Sequence, residues 1–295
     1  MNKYVIYSIL VGGYDDIRQP IVIDDRFDYV LFSDEHVGER IGVWQVRAIP
    51  YNDTNRLRLS RYAKCHPTKV LSDYQASLYM DANIRISTSW VYERFIEMLK
   101  SGIEWAGIKH PDQHCIYDEI VAITDLRWVR DFEVVEWYAK MKKAGFPENY
   151  GLYENNVIFR QHTNKVENVG DLWWKTLEKD CKRDQFSLMY VLWQVQLVMG
   201  FILSNRECPR IGSQHFAYYN HNPHKRVIKL GFHEMMRYRC IRTMYPNDIR
   251  KGYHQMFDEV SISNNPQKEL RRWEWRTFIK QLPKLLYLSI KKRTK

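Results

Sequence analysis

The chain has 295 residues, a net charge of +10, and 45% hydrophobic and 14% aromatic residues. That is enough apolar material for a substantial core and too much for a disordered protein. No apolar run approaches a membrane span, no secretory signal is recognisable at the N-terminus, and the five cysteines form no Cys-x-x-Cys pair. Neither a zinc site nor a disulfide framework is indicated, and a reducing cytoplasm is the expected setting.

Residues 4–11 read as a first buried strand, ending in Gly12-Gly13-Tyr14-Asp15. That turn lets backbone approach a nucleotide and lets an aromatic stack on a base. It is neither Gly-x-Gly-x-x-Gly nor a Walker loop, which disfavours dinucleotide binding and P-loop phosphoryl transfer. Residues 28–32 form a second strand ending at Ser33-Asp34, and 43–49 a third. Thr54 or Asn55 caps a helix that His66-Pro67 stops after Cys65. Arg56, Ser60 and Lys64 share one face of it, with Arg61 alongside: a solvated face, or a cradle for a diphosphate.

The strand at 77–80 follows and delivers Asp81-Ala82-Asn83 to its C-terminal end. In open α/β sheets, ligands bind beyond those ends. Asp-x-Asn there can hold a divalent cation against a diphosphate, because hard cations favour carboxylate and phosphate oxygens. An Asp opening a turn has the same appearance. If the sheet is largely parallel, the ends Gly-Gly-Tyr-Asp, Ser-Asp and Asp-Ala-Asn face one crevice.

Beyond it come a helix at 89–100, a strand at 103–108 and the cluster His110, His114, Asp118 and Glu119. Pro111 interrupts that cluster and His-Glu-x-x-His is absent, so acceptor recognition or a structural network is favoured over zinc. One or two helices cover 125–144, a strand returns at 151–160 with Glu154, Asn155 and Asn156 near its start, and helices follow at 171–182 and 185–198. Asp184 reads as N-cap of the last helix or as a carboxylate beside the donor sugar, with Gln185 next to it. From Gln214 a loop rich in His215, Tyr218, Tyr219, His221 and His224 is expected.

The charge is concentrated at the end. From Lys268 onward there are ten basic residues against Glu269 and Glu274, so that segment carries +8 of the total +10. Residues 1–265 are therefore read as one domain and 266–295 as a basic tail. Leu270, Trp273, Trp275, Phe278, Ile279 and Leu282 give that tail an apolar side, Pro283 a kink or end, and residues 285–288 a second apolar anchor. Docking on an anionic membrane surface is expected, the alternative being a helix packed on the body. No nucleic-acid partner is expected.

The ordered motifs Tyr7-Ser-Ile-Leu-Val-Gly-Gly-Tyr-Asp15, Tyr29-Val-Leu-Phe-Ser-Asp34, Arg58-x-Ser-Arg-x-x-Lys64, Tyr79-Met-Asp-Ala-Asn-Ile84, His110-Pro through Tyr117-Asp-Glu119, Gly151-Leu-Tyr-Glu-Asn-Asn156 and Arg183-Asp-Gln185 together resemble a known family. It is the glycosyltransferase-like domain once classed as a domain of unknown function, with bacterial members and plant members that include a seed-mucilage glycosyltransferase. The resemblance implies an α/β fold of GT-A type, with a Rossmann-like mixed sheet flanked by helices, here followed by a helical basic extension. It implies a nucleoside diphosphate sugar donor, a UDP-sugar first, and a glycan or lipid-linked glycan acceptor.

It also implies Mn²⁺ or Mg²⁺ on Asp81 and Asn83, with one of His215, His221 or His224 joining. Asn83 replaces the commoner second Asp, which implies weaker or water-mediated metal contact. Gly12, Gly13, Tyr14, Asp15, Arg56, Arg61, Lys64, Asn155 and Gln185 would hold the donor. Asp184, then Glu154, stand first beside the anomeric carbon: an inverting enzyme needs one as general base, a retaining one only to position the donor. The rival readings are a hydrolase of a lipid amide or glycosidic bond, and a non-catalytic module binding membrane or nucleic acid.

Overall fold

The structure, a computed structural model, describes residues 3–181, 183–204, 207–220 and 227–293. The chain forms two compact units, one of residues 1–112 and 151–224, the other of residues 113–150 and 225–295.

The first unit is built on one mixed sheet. Its strands are β1 (Tyr4–Leu10), β2 (Phe27–Ser33), β3 (Arg40–Ile41), β4 (Trp44–Ala48), β5 (Ala76–Met80), β7 (Trp105–Lys109), β8 (Tyr153–Gln161) and β9 (Gly200–Phe201). A separate pair joins β6 (Ile84–Ile86) to β10 (Phe216–Tyr218). The order in the large sheet is β3-β4-β2-β1-β5-β8-β7-β9. Strands β4, β2, β1 and β5 run parallel, so their C-terminal ends lie along one edge. Strand β8 is antiparallel to both β5 and β7, and therefore brings its N-terminal residues to that same edge.

Helices cover both faces. Helix α3 (Trp90–Lys100) buries Val91, Tyr92, Phe95 and Met98 against Ile6, Leu78, Met80 and Phe159. Helices α1 (Arg56–Cys65), α2 (Pro67–Val70), α6 (Asn164–Lys179) and α7 (Asp184–Val195) form a second layer, α1 resting on β1 and α7 on β8. This is the α/β architecture expected from the sequence, a mixed sheet flanked by helices. Asn55 caps α1, its side chain accepting the Leu57 and Arg58 amides, and Pro67 opens α2 where the missing N–H costs nothing. Gly170 of α6 faces the Cys65 carbonyl so closely that a Cβ there would overlap it, which lets α6 lie against the end of α1.

The second unit is helical among its described residues: α4 (Ile116–Asp125), α5 (Asp131–Lys143), α8 (Phe232–Met244), α9 (Ile249–Ser261) and α10 (Pro266–Arg293). Helix α10 continues through Pro283 instead of ending there. Its first half packs on α5, α8 and α9 through Leu270 and Trp273, so the boundary that charge places at residue 265 lies inside this unit. Charge marks the exposed face of the helix, whereas packing is decided by the buried one. The five cysteines are free and buried, and among the described residues no helix is long and apolar enough to cross a membrane.

Candidate functional site

The parallel strand ends converge on a charged cluster. Along β5 side chains alternate, so Tyr79 and Asp81 leave on the same face, and the Tyr79 hydroxyl donates to Asp81 Oδ1 at 2.6 Å. Burial, with Asp81 adding to it, pushes the Tyr79 phenol well above its usual range, which keeps it a donor. Lys64, on the last turn of α1, is 6% exposed and lies 3.7 Å from Asp81 Oδ1 and 3.0 Å from Asp184 Oδ2. Arg61, one turn earlier, pairs with the same Asp184 oxygen. Burial alone would raise the Asp184 carboxyl; Arg61 and Lys64 outweigh it and hold that carboxyl well below the usual range.

Asp184 is therefore not the N-cap of α7. Arg183 occupies that position and Asp184 is the first helical residue, its carboxylate claimed by two cations from α1. Behind the cluster, the fully buried Arg160 donates to the Tyr7 hydroxyl and to the Lys64 carbonyl, fixing the backbone that carries Lys64. The neighbouring Cys65 thiol is pushed up to about 12 by burial, so it is no nucleophile.

The β1 end supplies the turn. Gly12 (φ +69°) donates to Asp34 Oδ1 at 2.8 Å, and Asp34 also lies 3.9 Å from Arg56. A Cβ on Gly12 would meet the Arg56 side chain at 2.7 Å. The left-handed φ favours glycine, whereas the exposed Arg56 side chain could swing aside. Gly13 also has positive φ, Tyr14 is 43% exposed, and Asp15 is half-buried. The Tyr14 phenol is raised by burial and by Asp15 and Asp81, so it lies within electrostatic reach of the β5 end. Ser60 is turned away, its hydroxyl bonded to the Leu57 carbonyl. Gln185 is half-buried in the first turn of α7.

On β8, Glu154 lies 2.7 Å from Arg210 Nη2 and 3.6 Å from His110 Nε2, and Arg210 also pairs with Asp112 at 3.2 Å. His110 Nδ1 accepts the Asp112 amide. Burial raises the Glu154 carboxyl; Arg210 opposes this and Asp81 adds to it. Next to it, Asn155 Nδ2 and Asn156 Oδ1 are buried and have no hydrogen-bond partner among the described residues. His114 is exposed in the second unit, where Asp118 pairs with His254.

Of the expected metal ligands, His215 lies apart from Asp81 and Asn83. Asn83 is 2% exposed, its Nδ2 donating to the Tyr219 carbonyl at 2.6 Å, while its buried Oδ1 has no partner among the described residues. His215 stacks on Trp90 at 4.0 Å, with Nδ1 bonded to Thr88 and Nε2 beside Gln214. It lies opposite Ser87, roughly 13 Å along the strand from Asn83. The structure thus does not bring it to Asp81. His221 and His224 lie outside the described residues. Among the described residues no three His, Cys, Asp or Glu side chains are grouped to hold a metal.

A family model, the TOD1/MUCI70 glycosyltransferase-like domain, matches residues 1–208. The chain belongs to this family. The TOD1/MUCI70 match spans the large sheet together with Asp81, Arg61, Lys64, Asp184 and Glu154, and ends just before Arg210. Among solved structures the chain is similar to WbbM, a bifunctional glycosyltransferase in its apo form, at 12% identity and a TM-score of 0.38. That alignment covers 68% of this chain and 38% of WbbM, so the chain spans well under half of that protein. No curated protein sequence matches it.

Proposed function

We propose that this glycosyltransferase-like domain moves a sugar from a nucleoside diphosphate sugar, a UDP-sugar first, to a glycan or lipid-linked glycan in surface polysaccharide synthesis. The observation that carries this reading is the cation pair Arg61 and Lys64, anchored by Asp184 at the strand edge that presents Asp81. Glycosyl transfer leaves a diphosphate behind, and charge-assisted hydrogen bonds aimed at it stabilise charge that grows in the transition state. Gly12, Gly13 and Tyr14 are assigned to the nucleotide, with Arg56 beside them.

Arg61 and Lys64 are matched in charge by Asp184 and Asp81, so the cluster offers a diphosphate little net positive charge. A divalent cation, Mn²⁺ or Mg²⁺, fits that deficit. Asp81 and Asn83, through its buried Oδ1, would hold it, and it would supply Lewis-acid stabilisation of the leaving group. Asp184, fixed by two cations, is a poor base. Glu154, raised by burial, is the carboxylate assigned to take the acceptor hydroxyl's proton, with Arg210 and His110 positioning it. General-base catalysis corresponds to inversion at the anomeric carbon. Five free, buried cysteines accord with a cytoplasmic location.

Thermal-shift screening of nucleoside diphosphate sugars, with and without Mn²⁺, tests the reading. A stabilising donor, followed by release of its nucleoside diphosphate on adding glycan, is the expected result. Indifference to every nucleoside diphosphate sugar, coupled with hydrolysis of a glycoside or lipid amide, would overturn it.

A further inference from the structure

Helix α10 has two apolar faces, and the second unit covers one of them. Leu270 and Trp273 are buried there, and the buried Glu274 pairs with Arg237, which fixes the rotation of the helix about its axis. The opposite side carries Trp275, Ile279, Leu282 and Leu286, exposed by 53%, 66%, 38% and 55%. Spacings of four, three and four keep these side chains on one line down the helix. The line is about 17 Å long at 1.5 Å per residue.

The charge around that line identifies its partner. By helical position Arg271 borders it on one side and Arg272 and Arg276 on the other, all three exposed. Glu269 pairs with Arg272 and Arg276, and the helix's other acid, Glu274, is buried on the far face. The exposed side is therefore apolar along its centre and cationic along both borders. A protein surface that buried it would have to desolvate three guanidinium groups. A phospholipid interface accepts the apolar line into its acyl boundary while the arginines remain on headgroup phosphates, and tryptophan favours that depth.

We propose that the Trp275–Ile279–Leu282–Leu286 line of α10 seats this protein on an anionic phospholipid surface. The face differs from the one the sequence pattern favours, because Leu270 and Trp273 are committed to the core. The assignment does not depend on the transferase reading, and its test uses neither donor nor acceptor.

The experiment is co-sedimentation of the full chain with phosphatidylcholine vesicles, with and without phosphatidylglycerol, at low and high salt. The variants are Trp275→Ser/Ile279→Ser/Leu282→Ser and Arg271→Gln/Arg272→Gln/Arg276→Gln, each checked for an unchanged melting curve, which their exposure predicts. The wild type is expected to partition onto phosphatidylglycerol vesicles and to be released by salt. The apolar variant should lose roughly tenfold or more in partition. The arginine variant should lose at least as much, since each basic residue near an anionic surface is worth about fivefold. Equal partition of all three proteins, absence of partition, or self-association that the apolar variant abolishes without any lipid binding would overturn the proposal.

Discussion

Lys64 and Asp184 are separated by 120 positions in the chain and by 3.0 Å in the fold. The pair ties the last turn of α1 to the first residue of α7, and Arg61 closes on the same oxygen. A largely enclosed carboxylate held by two cations keeps those cations oriented, but it is not free to accept a proton. Its contribution is to aim positive charge at the strand edge.

Replacement of Asp184 separates that role from catalysis. Asp184→Asn is expected to keep the pH dependence of turnover while lowering stability, because Arg61 and Lys64 lose their partner. The depressed carboxyl gives the sign for acid unfolding. Its stabilisation is complete above the unfolded value of about 3.9 and is lost as pH falls from there toward the folded value, since only the unfolded chain takes up the proton. Acid titrations of wild type and Asp184→Asn should therefore converge as pH falls below about 4. Curves that stay parallel into strong acid would show that the pair contributes nothing.

Arg61→Ala and Lys64→Ala are expected to weaken donor binding by about 1.5–3 kcal/mol each, the worth of a charge-assisted hydrogen bond. Asp81→Ala should remove transfer with the fold intact, and Asn83→Asp should retain activity or tighten Mn²⁺ binding. Calorimetric titration with the donor found in the thermal-shift screen measures the first pair. Unchanged affinity in both would mean that the two cations serve only to hold Asp184.

Much of this edge can be read from the sequence, for local reasons. Alternation along β5 puts Tyr79 beside Asp81, Asn55 is a good cap three residues before Arg58, and Gly12-Gly13 marks a turn that only glycine enters easily. What could not be read are the long-range pairings. Nothing near Arg210 signals that it meets Glu154, because it arrives from a loop. Asp184 looks like a cap until α1 is known to lie against it. The apolar positions of α10 fall on two faces, and only the packing of Leu270 and Trp273 says which one remains exposed.

Gly170 tests how closely α6 must approach α1. An added methyl group would overlap the Cys65 carbonyl, which is backbone and cannot swing aside. Gly170→Ala should cost about 1–3 kcal/mol of stability and, by displacing the end of α1 that carries Lys64, weaken donor binding as well. Melting and titration of the same variant check both. A neutral result would mean that the two helices have slack.

In the second unit, Arg237 is 3% exposed and pairs with Asp131 and with Glu274. Arg237→Met takes the guanidinium from two buried carboxylates, leaving Glu274 only its contact with His233, and is expected to destabilise by about 3–5 kcal/mol. Replacing all three with apolar residues should recover much of that loss, because the desolvation cost goes with the charges. Chemical denaturation of the single and triple variants measures the difference.

Glu154 carries the last test. Its carboxyl is raised by burial, and Arg210, 2.7 Å away, pulls it back. A general base works only when ionised, so turnover should rise with pH through a value above the ordinary glutamate range of about 4.3. Arg210→Gln removes the charge that favours the ionised form, so the rising limb should move to higher pH while donor affinity holds. Glu154→Gln should abolish the limb and lower turnover by a factor of about 10²–10⁴, the usual worth of a positioned base. Rates of transfer against pH for the three proteins decide it. A limb unmoved in Arg210→Gln, or one that persists in Glu154→Gln, would mean that another group takes the proton.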